Sequence, residues 1–263
     1  MDINEALRDG VIDVARRAAT EILAVYDGDF AVQHKGDDSP LTAADLAAHR
    51  CIVHGLQVLT PDIPVLSEES KGIDIRERRT WRRFWLVDPL DGTREFIKRN
   101  GEFTVNIALV EDGVAVFGVI QQPVTDGLWH GTLGQGAYRR EGDHDIAIRT
   151  RMPATAPLTV AASRSHRDGR TQALLDALPG ADVIGCGSAL KFCKLAEGTI
   201  DLYPRFHPTS EWDTAAGQAI VEAAGGVVQD LAGRPFRYNQ RDTLLNGDFI
   251  AVGDRDLLAR LPT

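Results

Sequence analysis

Apolar residues recur at Ile3, Leu7, Val11, Val14, Ala18, Ile22 and Val25, three or four apart, which predicts an amphipathic helix over 3–26 with one buried stripe. Residues 30–41 carry turn formers and read as an irregular excursion, followed by a second helix over about 42–58 that ends before Pro61. The stretch 64–70, PVLSEES, reads as a short strand ending in two glutamates. The charged stretch 71–82 reads as a mobile surface segment. RFWLVDPLDGT at 83–93 is the sharpest pattern: a continuous apolar strand that stops at two aspartates, a proline and a glycine. From 104 to 140, short β-rich runs alternate with turns at Asp112-Gly113, Asp126-Gly127 and Gly134, which predicts an antiparallel meander. After a Pro- and Thr-containing stretch at 150–157, strands and helices alternate through IDLYPR, implying an α/β layer. TSEWDTAAGQAIVEAAGG at 209–226 then predicts an Ala-rich helix closed by Gly225-Gly226. Two lobes are expected, 1–152 and 153–263.

Composition narrows the class. A chain of 263 residues with 43% apolar and 25% charged content is ordinary for a globular protein and long enough for a real core. A net charge of −9 argues against nucleic acid or anionic membranes as main partners. Three cysteines without metal-ligand spacing fit a reducing compartment, and neither a signal segment nor a membrane-spanning run is expected. The expectation is a cytoplasmic enzyme of unknown oligomeric state.

The chemistry lies in the acids. Asp88 and Asp91 at the end of a stiff strand repel each other, and a hard divalent cation with oxygen ligands is the usual compensation. A solvated acidic turn is the bland alternative. Glu68 and Glu69 suggest cation ligands or a water-activating base, with an acidic turn equally acceptable. Asp45, three residues after Thr42, and Asp213, three after Ser210, have capping-box spacing. At a helix N-terminus Asp213 would stay ionised and able to reach a cation. Individually these acids are ambiguous. His130, Trp129, His166 and Lys191 read first as packing or surface residues.

Taken together, Glu68-Glu69, DPLDGT at 88–93 and Trp212-Asp213, in this order and followed by the glycine pair, resemble the magnesium-dependent, lithium-sensitive phosphatases of the inositol monophosphatase superfamily. The resemblance spans nearly the whole chain. SPLTAAD (39–45), WLVDPLDGTREFIKRNGEFTVNIALV (85–110), SRSH (163–166), LKFC (190–193) and LYPRF (202–206) are similar to its CysQ-type bacterial 3′(2′),5′-bisphosphate nucleotidases. Arg94 and Glu95 stand where relatives acting on inositol phosphates carry a threonine and an asparagine, which favours the nucleotidase group.

The resemblance implies a five-layered α-β-α-β-α sandwich with the site between its lobes. It implies at least two Mg2+ ions, one held by Glu68, Asp88 and the Leu90 carbonyl, the other by Asp88, Asp91 and Asp213. Thr93, backed by Asp45 and with Glu69 nearby, would position the attacking water, and the Gly92 and Thr93 amides would cradle the phosphate. Ser163, His166, Gly187 and Lys191 would form the nucleotide pocket, with Arg94, Lys98 and Arg99 as further cationic candidates. The implied reaction is hydrolysis of adenosine 3′,5′-bisphosphate to AMP, with 3′-phosphoadenylyl sulfate as a second candidate substrate. An inositol- or sugar-phosphate phosphatase is the nearest alternative, and a non-catalytic nucleotide sensor the more distant one.

Overall fold

The computed structural model describes residues 3–28, 31–34, 40–70, 72–163 and 169–261. The helix expected at the start is α1 (Glu5–Tyr26), capped by the Asn4 side chain, which accepts the Leu7 N–H at 2.9 Å. A small ribbon, β1 (Val32–His34) and β2 (Pro40–Thr42), leads into α2 (Ala43–Leu59). β3 (Val65–Ser67) follows. The charged stretch 71–82 departs from expectation. It contains a helical turn, α3 (Ile75–Arg78), whose Arg78 is buried. That guanidinium donates to Asn239 Oδ1 at 2.5 Å and to the carbonyls of Arg241 and Asp242, so a segment that reads as solvated is tied to a distant loop.

β3 pairs in parallel with β4 (Arg83–Asp91), and α4 (Thr93–Ile97) starts directly after it. The meander then runs through β5 (Thr104–Glu111), β6 (Val114–Gln122), β7 (Gly127–Thr132), β8 (Gly136–Glu141) and β9 (His144–Ile148). All seven strands lie in chain order in one sheet, antiparallel after β4. The second sheet is built from β10 (Thr159–Ser163), β11 (Asp182–Cys186), β12 (Leu202–Arg205), β14 (Val227–Asp230) and β16 (Phe249–Val252), in the order β11-β10-β12-β16-β14. Its connecting helices are α5 (Gly169–Asp176), α6 (Leu190–Ala196) and α7 (Glu211–Ala223). A two-residue ribbon, β13 (Thr209–Ser210) with β15 (Leu245–Asn246), brackets the start of α7.

Three buried clusters define the layers. Trp85, Val87, Ile107, Leu109 and Phe117 pack on α1 and α2. On the opposite face, Phe84, Leu86, Ala108 and Val110 share a cluster with α6, α7 and the second sheet's Tyr203 and Phe249. Beyond that sheet, Val160, Leu202 and Val252 pack on Leu174 and Leu175 of α5. Alternate residues of β4 therefore feed different cores, which is why it reads as a continuous apolar run. The order is α-β-α-β-α, the five-layered arrangement expected.

The central helix layer sets the site. α7 lies so close to β6 that a Cβ on Gly118 would stand 2.4 Å from the Ala216 carbonyl oxygen. The helix start is held by buried Glu211, which accepts the Asn239 N–H at 2.7 Å and pairs with Arg241 at 2.9 Å. Arg78, bound to Asn239, completes that brace.

Candidate active site

Four segments converge at the ends of the strands. β4 supplies Asp88 and Asp91 across an irregularity in its ladder: Asp88 pairs with Asn106 and Asp91 with Thr104, and the register shifts between them. Pro89 therefore interrupts the ladder rather than ending it. Gly92, at φ 92°, turns the chain into α4 through a backbone conformation that other residues rarely adopt. The start of α7 brings in Asp213, and the β3 exit brings in Glu68. Oxygens of Asp88, Asp91 and Asp213 lie within 4.8 Å of one another.

Such crowding is costly without a cation. Burial, followed by the charges of Glu68, Asp91 and Asp213, pushes the Asp88 carboxyl far up. Burial also raises Asp91, opposed by Lys191, and pushes Asp213 up to about 8 with the help of Asp91. Asp213 Oδ2 also accepts the Ser210 N–H at 2.7 Å, so the cap and the cluster use one side chain, as its spacing allowed. An all-oxygen set of mutually repelling carboxylates suits a hard divalent cation.

Asp45 meets the same site from α2. Its Oδ2 accepts from the Thr42 N–H at 2.7 Å and the Thr42 hydroxyl at 2.6 Å, completing the capping box. Its Oδ1 stands 3.3 Å from the Thr93 hydroxyl, which is also 3.3 Å from the Leu90 carbonyl. Burial raises the Asp45 carboxyl, and the Glu69 charge adds to the rise. One turn on, His49 Nδ1 lies 2.9 Å from Ser67 Oγ, fixing α2 to the strand that leads into Glu68 and Glu69.

A cleft of about 400 Å³ opens over these groups. Glu68, Asp91, Gly92, Thr93 and Asp213 line its acidic side, while Arg94, Lys191 and Arg205 line it with positive charge. The expected nucleotide residues fare unevenly. Gly187 and Lys191 line the cleft. The Gly187 N–H, however, already donates to Glu102, and Lys191 Nζ donates to the carbonyls of Cys186 at 3.1 Å and Ser188 at 2.6 Å. The Ser163 backbone closes β10 beside Cys186, and His166 lies outside the described residues. Arg99 has its guanidinium bonded to the carbonyls of Tyr26, the last residue of α1, and Gly28. Lys98 pairs with Glu95.

Two lining residues escaped the sequence reading. Ser188 sits at φ 45° with its buried hydroxyl unpartnered among the described residues. Arg205 ends the apolar strand β12 with a buried Nε that has no partner among the described residues. An arginine closing an apolar strand, and a serine after Cys186-Gly187, were the available signals.

The sequence model of the inositol monophosphatase family matches residues 4–260. Among individual proteins, the chain is 49% identical to the 3′(2′),5′-bisphosphate nucleotidase CysQ of Escherichia coli K12, over 92% of this chain and 97% of that one. It is 50% identical to the CysQ nucleotidase of Salmonella typhimurium, over 91% and 96% of the two chains. The crystal structure of CysQ from Bacteroides thetaiotaomicron superposes with a TM-score of 0.85 at 41% identity, covering 96% of this chain and 99% of that one. With its layers, its acidic cluster and matches over more than nine-tenths of its length in agreement, this chain belongs to the inositol monophosphatase family.

Proposed function

We propose that the chain is a magnesium-dependent phosphatase that hydrolyses adenosine 3′,5′-bisphosphate to AMP and inorganic phosphate. The observation that carries this reading is a cleft with two kinds of wall: a carboxylate cluster fit for divalent cations beside Arg94, Lys191 and Arg205. A substrate carrying two separate phosphates satisfies both, one at the acids through cations and one at the basic wall. The names of the E. coli and Salmonella relatives support the same substrate class.

In this reading Asp88, Asp91 and Asp213, with Glu68 and the Leu90 carbonyl, would hold two or more Mg2+ ions. Bound cations would neutralise the phosphate, acidify a water and stabilise the departing oxygen. The chain's own groups do the rest. Gly92 and Thr93 seat the phosphate. The Thr93 hydroxyl, hydrogen-bonded to Asp45, orients the water, and Asp45 or Glu69 takes its proton. A P–O bond forms to the water oxygen, the bond to the ribose 3′-oxygen breaks, and that oxygen takes a proton from a solvent water to leave as a hydroxyl, while the proton on the carboxylate base returns to solvent. Arg94, Lys191, Ser188 and Arg205, joined by Ser163 and His166, hold the nucleotide. Residues 1–152 carry most of the metal ligands and 153–263 most of the nucleotide wall. The described residues include no helix long and apolar enough to cross a membrane, and a cytoplasmic site of action fits this substrate.

The test is phosphate release, with and without Mg2+, from adenosine 3′,5′-bisphosphate, 3′-phosphoadenylyl sulfate, inositol 1-phosphate and fructose 1,6-bisphosphate. Magnesium-dependent preference for the nucleotides supports the reading. Preference for a polyol or sugar phosphate would keep the metal site and remove the nucleotide wall.

A further inference from the structure

Three segments meet at one point beside the phosphate loop. Glu102, in the loop between α4 and β5, accepts the Gly187 N–H through Oε2 at 2.9 Å. The approach is that of backbone to backbone: a Cβ on Gly187 would lie 2.8 Å from the Glu102 carbonyl oxygen and 3.1 Å from Glu95 Cγ. A Cβ on Gly92 would meet the same Glu102 oxygen at 3.1 Å and Ser188 Cβ at 3.3 Å. The 186–188 turn is thus wedged against both the phosphate loop and the Glu102 loop. Lys191 secures its other side through the Cys186 and Ser188 carbonyls. Glu102 is itself braced, its N–H donating to Asn100 Oδ1 at 2.9 Å, while the Asn100 amide donates to buried Glu95.

The turn needs such anchoring. Ser188 occupies the left-handed region without being glycine, and its buried hydroxyl has no partner among the described residues. A strained residue persists only where its surroundings over-determine it, and such residues gather at ligand clamps.

We propose that Glu102 is a specificity-determining positioning residue: its carboxylate fixes the 186–188 turn against the Asp91–Thr93 loop, shaping the cleft for a bisphosphorylated nucleoside over a small phosphate ester. This rests on the nucleotidase reading above. The residue touches no reacting atom; it acts through Gly187 and Ser188.

The experiment compares Glu102→Ala and Glu102→Gln with wild type in two assays. Steady-state kinetics are measured on adenosine 3′,5′-bisphosphate and on p-nitrophenyl phosphate. Backbone amide exchange is measured across residues 184–190 of the magnesium-loaded protein. Loss of a hydrogen bond to a carboxylate predicts a rise of about tenfold in KM for the nucleotide in the alanine variant. The small ester should change by less than about threefold. The 184–190 amides should exchange faster in the alanine variant. Glutamine, which keeps an acceptor oxygen, should restore most of both effects. Equal losses on both substrates, or exchange as slow as in wild type, would overturn the proposal. A wild type that shows no preference for the nucleotide refutes the nucleotidase reading and the selectivity proposal with it. A wild type that prefers the nucleotide, with an alanine variant that keeps that preference, refutes Glu102 alone.

Discussion

Replacing Asp213 by Asn separates what this carboxylate does for folding from what it does for function. The amide oxygen can still accept the Ser210 N–H now bonded to Oδ2 at 2.7 Å, so the start of α7 keeps its cap. What disappears is a negative charge within 4.8 Å of Asp88 and Asp91. Two unit charges at that distance repel by about 3 kcal/mol at an effective dielectric constant of about 20. Protonation already relieves part of this in the metal-free protein, because the Asp213 carboxyl is pushed up to about 8. The net gain from Asp213→Asn without metal is therefore expected to be ~1–2 kcal/mol, a few degrees in Tm for a chain of this length. With Mg2+ the sign reverses. A cation at a hundred times its Kd stabilises the wild type by ~2.7 kcal/mol, and the variant should lose most of that.

The pH dependence follows from the same shift. An acid whose folded pKa lies above its unfolded value of 3.8 imposes no penalty below that value. The penalty grows as pH rises and is complete above about 8. Metal-free wild type should melt progressively lower across that window, and Asp213→Asn less steeply. Thermal melts in chelator and in excess Mg2+, at several pH values, measure all three quantities. A variant less stable than wild type in chelator, or stabilised equally by Mg2+, would refute the argument.

Other expectations concern the supports of the site. Asp45→Asn should lower kcat at least a hundredfold while costing ~1 kcal/mol or less in a chemical-denaturation curve, because an Asn oxygen still caps α2. Gly118→Ala should cost more than ~2 kcal/mol, since a Cβ 2.4 Å from the Ala216 carbonyl oxygen forces α7 off the sheet. The same displacement should reduce kcat below the melting range by moving Asp213. Arg78→Ala should lower stability by ~2–3 kcal/mol, because its guanidinium satisfies the Oδ1 of buried Asn239 and two part-buried carbonyls, and truncation leaves that Oδ1 without its donor. A urea midpoint within error of wild type would contradict the buried placement of Arg78.

Local patterns carried much of this molecule. The 3–26 stripe is α1, the turn signals from 112 to 134 separate the strands of the meander, and the Thr42–Asp45 and Ser210–Asp213 spacings both start helices. These features are legible because their energetics are local: hydrophobic period, capping geometry and turn chemistry act over a few residues. The acids of the site were visible as well, since carboxylates that interrupt apolar patterns stand out.

Tertiary structure decided what those residues do together. No local rule brings Asp213 to Asp88 and Asp91; the close approach of α7 to β6 and the brace through Glu211, Asn239 and Arg78 do so. Arg78 in a charged stretch and Arg99 in a basic one look alike in sequence. Yet one is buried against a distant loop, and the other bonds the backbone at the end of α1. Charge alone does not say where a long side chain finds its partner. The sequence by itself determined the elements and the inventory of acids. The packing of layers, which depends on contacts between segments far apart in the chain, determined which acids share a site and which cations face it.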